Sequence, residues 1–243
     1  MARLGLGLGA ASRRGRGAPW TIGDTSPVLW TRSDTNVTSA GTPALVSAWA
    51  DVREAVEYKW VRVAEASRPT RVVDARGFGI NFLGSRDMSC DALGALPVGT
   101  AAVTIAIALE ATHDGTDRYP LTFIKEAGGV LSMRSEAFPV SWVWRRSTPG
   151  DANEASIAQG ATFAGVLVGR YTGSALLLRV SGVDVAPVSV GGSLSTAVLT
   201  LGGYLPGQAR LLGIVREVAI WDRALTDPEA AAVDIHLRTA WGY

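Results

Sequence analysis

From Ala101 to Asp222 the chain is a succession of short apolar-alternating runs, and nearly every interval between them is built from turn-forming residues. The runs are Ala101 to Glu110, Leu121 to Lys125, Val130 to Arg134, Val140 to Arg145, Ala161 to Tyr171, Ser174 to Val180, Thr196 to Gly202 and Leu212 to Asp222. Between them stand "THDGTD", "EAGG", "STPGDANE", "YTG", "SGVD", "GGSL" and "YLPGQ". Gly supplies left-handed dihedrals, Pro pre-sets φ, and Asp and Asn bond their own backbone, so these stretches read as reversals. Alternation with period two gives each run one buried face. Strands recurring every ~8–12 residues predict an all-β sandwich or barrel. Upstream, "PVLWTRSD", "ALVSAWAD", "EYKWVRVAEA" and the glycine-punctuated "RPTRVVDARGFGINFLGSRDMSC" extend the same pattern back to Pro27, and no fixed-period repeat is present.

The last 31 residues break the rhythm once. In "GIVREVAIWD", strict alternation predicts Ile214, Arg216, Val218 and Ile220 on one face and Val215, Glu217, Ala219 and Trp221 on the other. Thr226 then stands three residues before Glu229, with Pro228 between, which is the sequence pattern of a capped helix start. A helix is predicted from about Asp227, with Ala230, Val233 and Leu237 as its inner stripe.

At 243 residues the chain is long enough for one large domain with a real core. Its net charge of +1 provides no global field for nucleic acid or an anionic membrane, so neither is expected as a partner. Cys90 is the only cysteine, which excludes an intrachain disulfide and a thiolate metal site. The longest apolar runs, such as "ATFAGVLVG", are too short to span a bilayer as a helix. At the N-terminus, Gly alternates with Leu4, Leu6 and Leu8, and the basic cluster Arg13, Arg14 and Arg16 follows the apolar part. A secretory signal has the opposite order. Residues 1–18 are therefore expected to form an extended arm that docks on a partner through those leucines and arginines, leaving 19–243 as one sandwich domain.

The closing "EVAIWDRALT" and "PEAAAV" resemble the C-terminal signature of concanavalin A-like lectin/glucanase domains of the laminin-G and pentraxin type. "FAGVLVGRYTGSALLLRVSGVDV" is similar to that family's pair of long strands, and "LTLGGY" to the strand that follows. "LWTRSD", "VSAWADVRE", "RPT" and "GINFLGSRDMSC", in that order, resemble the leading segment of laminin-G-like proteins encoded by bacteriophages and prophages. Ser181 stands where relatives carry Asn, and Arg32 replaces an acidic residue. The resemblance implies an antiparallel jelly-roll β-sandwich with a short C-terminal helix. It further implies a non-enzymatic virion protein: a fibre, spike or decoration subunit of head or tail, bound to other virion proteins and homo-oligomeric, with a trimer the analogy from fibres. The alternative reading is an adhesin for host surface glycans.

The residues themselves speak against catalysis. A retaining glucanase needs two carboxylates about 5–5.5 Å apart, written on this fold as E-x-D-x-x-E, and no such stretch occurs. His113 and His236 have no nucleophile in a recognisable elbow. Trp30, Trp49, Trp60 and Trp221 lie in strand patterns and are expected in or beside the core. "SWVWRR" puts Trp142 and Trp144 on one face beside Arg145 and Arg146. That face meets a sugar, a neighbouring subunit or the second sheet. No cofactor is required. Calcium is the one metal with candidate donors, Asp114 and Asp117 in "HDGTDRY" or Asp151 and Glu154 in "GDANE", set against the reading that these residues only initiate turns.

Overall fold

The computed structural model describes residues 22–52, 59–62, 64–84, 86–90, 101–124, 130–137, 140–148, 151–190, 198–204 and 209–243. Its strands are β1 (Leu29–Arg32), β2 (Val37–Ala40), β3 (Leu45–Ala50), β4 (Lys59–Val61), β5 (Thr70–Asp74) and β6 (Gly77–Asn81). Then follow β7 (Met88–Cys90), β8 (Val103–Thr112), β9 (Arg118–Ile124), β10 (Val130–Glu136), β11 (Ser141–Thr148) and β12 (Asp151–Ala158). The last are β13 (Thr162–Tyr171), β14 (Ala175–Val180), β15 (Val183–Asp184), β16 (Val188–Ser189), β17 (Val198–Leu201) and β18 (Gly213–Trp221), before helix α1 (Asp227–Trp241). Every pairing between these strands is antiparallel.

The pairings resolve into two layers. In the first, β1 and the β5–β6 hairpin share one edge of β18, which continues to β8, β13 and β14. The second runs β2, β3, β4, β7, β17, β9, β10, β11, β12. A single pair, Leu45 with Thr70, ties β3 to β5 and links the layers. Ile105, Ile107, Leu109, Leu167, Val218 and Ile220 of the first sheet meet Trp49, Trp60, Leu121, Leu131, Met133 and Trp144 of the second in the main core. This is the all-β sandwich that the strand rhythm predicts.

A second cluster lies on the other face of the first sheet. There Ala106, Ala108, Val166, Val168, Ala219 and Trp221 accept Ala230, Val233, Leu237 and Trp241 of α1. Small residues on β8 let the helix approach closely while the large ones of the same strand fill the main core. The helix starts as predicted: the Thr226 side chain accepts from the Glu229 amide, and the Glu229 carboxylate accepts from the Thr226 amide at 2.8 Å. It ends at Gly242, whose φ of 68° is the left-handed stop that glycine supplies without strain. No described helix is long and apolar enough to cross a membrane.

Two local expectations need correction. "GDANE" was expected in a turn, but Asp151–Ala158 forms β12, in unbroken register with β11 from Thr148–Asp151 to Ser141–Ala158. Pairing along a full-length neighbour overrides weak intrinsic strand preference. In β18, Val215 pairs with Leu109 and Glu217 with Ala108, leaving Arg216 as an extra bulged residue. Val215, Val218 and Ile220 therefore face the main core. Strict alternation would have driven the Arg216 guanidinium between the sheets. The bulge turns it outward, where it donates to the Gly77 and Phe78 carbonyls (3.1 and 3.0 Å) and pairs with Asp74 and Glu110.

Glu217 is fully buried at the junction of β18, β1 and α1. Its carboxylate accepts from the Trp30 indole (2.7 Å) and the Trp241 indole (2.9 Å), and Arg32 Nε lies 3.9 Å away. Burial pushes its pKa above the ordinary 4.5, against the pull of those donors. The native chain thus keeps a proton over a pH range where the unfolded chain has released it, and stability falls as pH rises through that range. A Glu217→Gln variant should lose that component. Urea midpoints of the two proteins measured between about pH 4 and 8 should diverge with pH. A constant offset would remove Glu217 as the titrating group.

Candidate ligand-binding site

The helix covers the outer face of the first sheet, whereas the outer face of the second carries a polar row set by strand register. Ser89 of β7 pairs with Thr200 of β17, Thr200 with Thr122 of β9, and Thr122 with Ser132 of β10. Ser132 in turn pairs with Arg145 of β11, and Arg145 with Glu154 of β12. Each lies opposite the next, so all six side chains emerge on one face. Thr122, Ser132 and Thr200 have no exposed surface, yet none of their hydroxyls has a hydrogen-bond partner among the described residues. Arg145 Nη1 reaches Glu154 at 3.1 Å, while its Nε–H is buried without an acceptor.

One step along β10, Arg134 gathers the acidic groups of this face. Its Nη1 lies 3.3 Å from Asp117 and 3.5 Å from the Tyr119 hydroxyl, and its Nη2 bonds Glu154 at 2.8 Å and also Glu136. Burial works against the Arg134 charge, but the Tyr119 bond and the Glu154 and Glu136 carboxylates outweigh it and push its pKa up. Tyr119 arrives here because β9 carries an extra residue: Met133 pairs with Leu121, but Ser135 with Arg118. The shift turns the phenol toward Arg134. Tyr204 meets it from the segment after β17, with ring centroids 4.9 Å apart and planes tilted by 55°. Gly202, at φ 79°, makes that approach, donating to the Pro120 carbonyl at 2.7 Å. Tyr119, Val130, Ser132, Arg145 and Tyr204 line a cavity of about 100 Å³.

The residues singled out from sequence are divided by the sheet. Trp142 and Trp144 are buried against the opposite layer: Trp142 sits edge-on to Phe163 at 5.1 Å, and the Trp144 indole donates to the Arg170 carbonyl at 2.9 Å. Of the three partners considered for that face, it meets the other sheet of the sandwich, the first layer. Arg146 also points inward, its Nη1 3.3 Å from the Tyr171 hydroxyl. Only Arg145 emerges on the outer face, so the four do not form one patch. Asp114 bonds Arg118 and Thr116, and the Arg118 guanidinium holds its carboxyl well below the usual range. Asp117 instead bonds Arg134 and the Ala137 amide, so the two carboxylates serve different partners. Asp151 and Glu154 lie in β12 and not in a loop. No group of three or more metal-ligating side chains occurs among the described residues. Leu4, Leu6, Leu8, Arg13, Arg14 and Arg16 lie outside the described residues.

Sequence reasoning did not find Ser132, Arg134, Glu136, Tyr119 or Tyr204. The alternation in "VLSMRSE" assigns Ser132 and Arg134 to one face, but only the pairing of β9, β10, β11 and β17 shows what stands beside them.

No protein-family model and no curated protein matches the chain. Among solved structures, it is similar to a Trypanosoma rangeli sialidase in complex with a difluoro-KDN ligand (TM-score 0.61, 12% identity, 95% of this chain and 35% of that one). It is similar to domain 4 of AbnA, a GH43 extracellular arabinanase from Geobacillus stearothermophilus, in complex with arabinotriose (0.60, 13%, 86% and 98%). It is also similar to the binding domain of Paraclostridial Mosquitocidal Protein 1 (0.63, 10%, 89% and 55%). The chain spans about a third of the sialidase and nearly all of the arabinanase domain. At these identities the likeness is one of fold, an antiparallel β-sandwich.

Proposed function

We propose that this protein is a non-catalytic carbohydrate-binding sandwich whose sugar site is the outer face of its second sheet. The observation that carries the reading is the cavity beside Tyr119 and Tyr204, whose wall also includes Val130, Ser132 and Arg145. Sugars offer C–H faces that lie against aromatic rings and hydroxyls that exchange hydrogen bonds, and this site supplies both. The fold is shared with an arabinanase domain in complex with arabinotriose and with the binding domain of a mosquitocidal protein, which supports a recognition role.

Hydrolysis is not part of the proposal. Glu136 and Glu154 come together on Arg134 Nη2. A glycosidase needs one carboxyl as acid and another as base or nucleophile flanking the scissile bond. Here both are bound to one cation, and neither lines the cavity. The proposed contacts call on no metal. Display on a phage particle, as a fibre, spike or decoration subunit docked through residues 1–18, is supported by the sequence resemblance. In that setting the site would face host glycans.

A glycan array tests the reading. The protein is expected to retain a defined set of glycans without cleaving them, and Tyr204→Ala should weaken retention at least about tenfold, the effect of losing one good stacking contact. Retention unchanged in that variant, with melting also unchanged, would remove this face as the site. Turnover of a retained glycan would overturn the non-catalytic part.

A further inference from the structure

We propose that a cleft at the β2 edge of the sandwich, apart from the outer-face site, binds the carboxylate of an acidic sugar through Arg71. The cleft, of about 430 Å³, is lined by Asp34, Asn36, Val37, Thr38, Ala50 and Arg71. Strands β3, β4, β7, β17 and β9 stand between β2 and β10, so the two sites are distinct. Hydrogen bonds fix the walls of the cleft. The Ala50 amide donates to the Asn36 carbonyl (2.9 Å), the Asn36 side-chain amide to the Asp51 carbonyl (2.7 Å) and the Arg71 amide to the Ala44 carbonyl (2.8 Å). The Ser33 hydroxyl donates to the Phe78 carbonyl at 2.6 Å and ties the β5–β6 hairpin to the end of β1. Walls held in this way have little ordering left to do when a ligand arrives.

The Arg71 guanidinium makes no ion pair and no hydrogen bond among the described residues. It lies over the Phe78 ring, 4.1 Å from the centroid. Only its Nε is enclosed, and the two terminal amino groups are not. The stack holds the guanidinium plane, and a planar fork matches a carboxylate with two parallel hydrogen bonds. Asp34 is the one carboxylate among the lining residues, and Arg32 already bonds both of its oxygens, at 3.2 and 2.9 Å. Asp51, next along from Ala50, is fully buried and accepts from the Trp30 amide at 2.7 Å. Asp74, at the end of β5, is held by Arg216 and by the Arg76 amide. Each of these acids is engaged elsewhere, which leaves the Arg71 charge for a ligand.

The neutral groups of the cleft suit a sugar. The Asn36 side-chain oxygen and the Thr38 hydroxyl have no partner among the described residues and complement ring hydroxyls. Phe78 and its cross-strand neighbour Val73 are 37% and 68% exposed, which adds apolar surface beside the guanidinium for the C–H face of a ring. A peptide would instead extend the sheet along β2, which pairs with β3 alone among the described strands. The register shift between Thr38 and Ser39 interrupts that short edge, so the cleft favours a compact ligand over an added strand.

Titration calorimetry of the full chain tests this with galacturonate, glucuronate and N-acetylneuraminate, each beside its methyl ester, which keeps the ring and loses the charge. At about 0.05 M salt at least one free acid should bind about tenfold or more tightly than its ester, the effect of one charge-assisted pair. That affinity should fall as salt is raised to about 0.5 M. Arg71→Ala should erase the difference between acid and ester. Arg71→Lys should retain only part of it, because an ammonium lacks the planar fork. Both variants lose only the stack on Phe78, so their melting temperatures should stay within about 4 °C of the parent. Tyr204→Ala should leave acid binding unchanged. Equal or absent binding of acid and ester by the unaltered chain would overturn the inference whether or not the variants fold, and would leave the outer-face reading standing. A preference for the acid that survives Arg71→Ala would overturn it too. Loss of the preference in Tyr204→Ala would place the acid on the outer face and overturn the assignment to this cleft. An acidic peptide bound more tightly than every free acid would overturn the sugar as the ligand.

Discussion

A Trp144→Ala variant is expected to lose about 3–5 kcal/mol of unfolding free energy, the usual result of deleting a buried aromatic side chain. Trp144 has no exposed surface and stands where β11 crosses the inner face of β13. Gly169 of β13 has no side chain because the indole occupies that space: a Cβ there would lie 2.7 Å from the ring. Removing the indole opens a void lined by Met133 and the β13 backbone, and removes the hydrogen bond that the indole N–H gives the Arg170 carbonyl at 2.9 Å. Against a typical total of about 5–15 kcal/mol, the loss should be plain in a urea transition. Trp144→Phe should recover part of it. A loss below about 1 kcal/mol would mean that the ring contributes little packing and is available to a ligand or a subunit.

Gly202→Ala should be similarly damaging and should reach the ligand site as well. A non-glycine residue held at φ 79° costs about 1–2 kcal/mol of backbone strain. The new Cβ would lie 2.2 Å from the Phe82 ring, which is fully buried and has no room to withdraw. Overpacking of that kind adds about 1–3 kcal/mol. Because Gly202 bonds Pro120 and Leu211, its displacement moves the segment that carries Tyr204 toward Tyr119. Both a lower urea midpoint and weaker sugar retention are therefore expected. Unchanged melting would show that the turn relaxes freely and that Phe82 is not pinned.

Where structure is local, the chain announces it. Thr226, Pro228 and Glu229 specify the helix start within four residues, and Gly242 its end, so α1 is readable from one short stretch. The strand rhythm is local too, because side chains alternate with the backbone pleat. β12 escaped because Asp, Ala, Asn and Glu favour strands weakly, and only full pairing with β11 makes them one. The Arg216 bulge escaped for a related reason. An extra residue exists only relative to a partner, and β8 lies some hundred positions earlier. The site shows the same limit. Period two separates Trp144 from Arg145, but nothing near them says which face meets the other sheet. Ser132, Arg145 and Tyr204 become neighbours only once β9 has paired with both β10 and β17.

The division of labour along β10 has a consequence for how such a protein can change over generations. Leu131 and Met133 belong to the interior, whereas Ser132 and Arg134 belong to the outer face. Codons for the fold and codons for the proposed recognition face are thus interleaved in one strand yet would answer to different selection. A lineage can exchange the outward residues of β9, β10 and β11 for others of strand-compatible shape and acquire a new specificity while every core contact is inherited intact. Ligand preference in such a protein can turn over faster than architecture, and two descendants can share a sandwich while few of the residues that meet a partner remain in common.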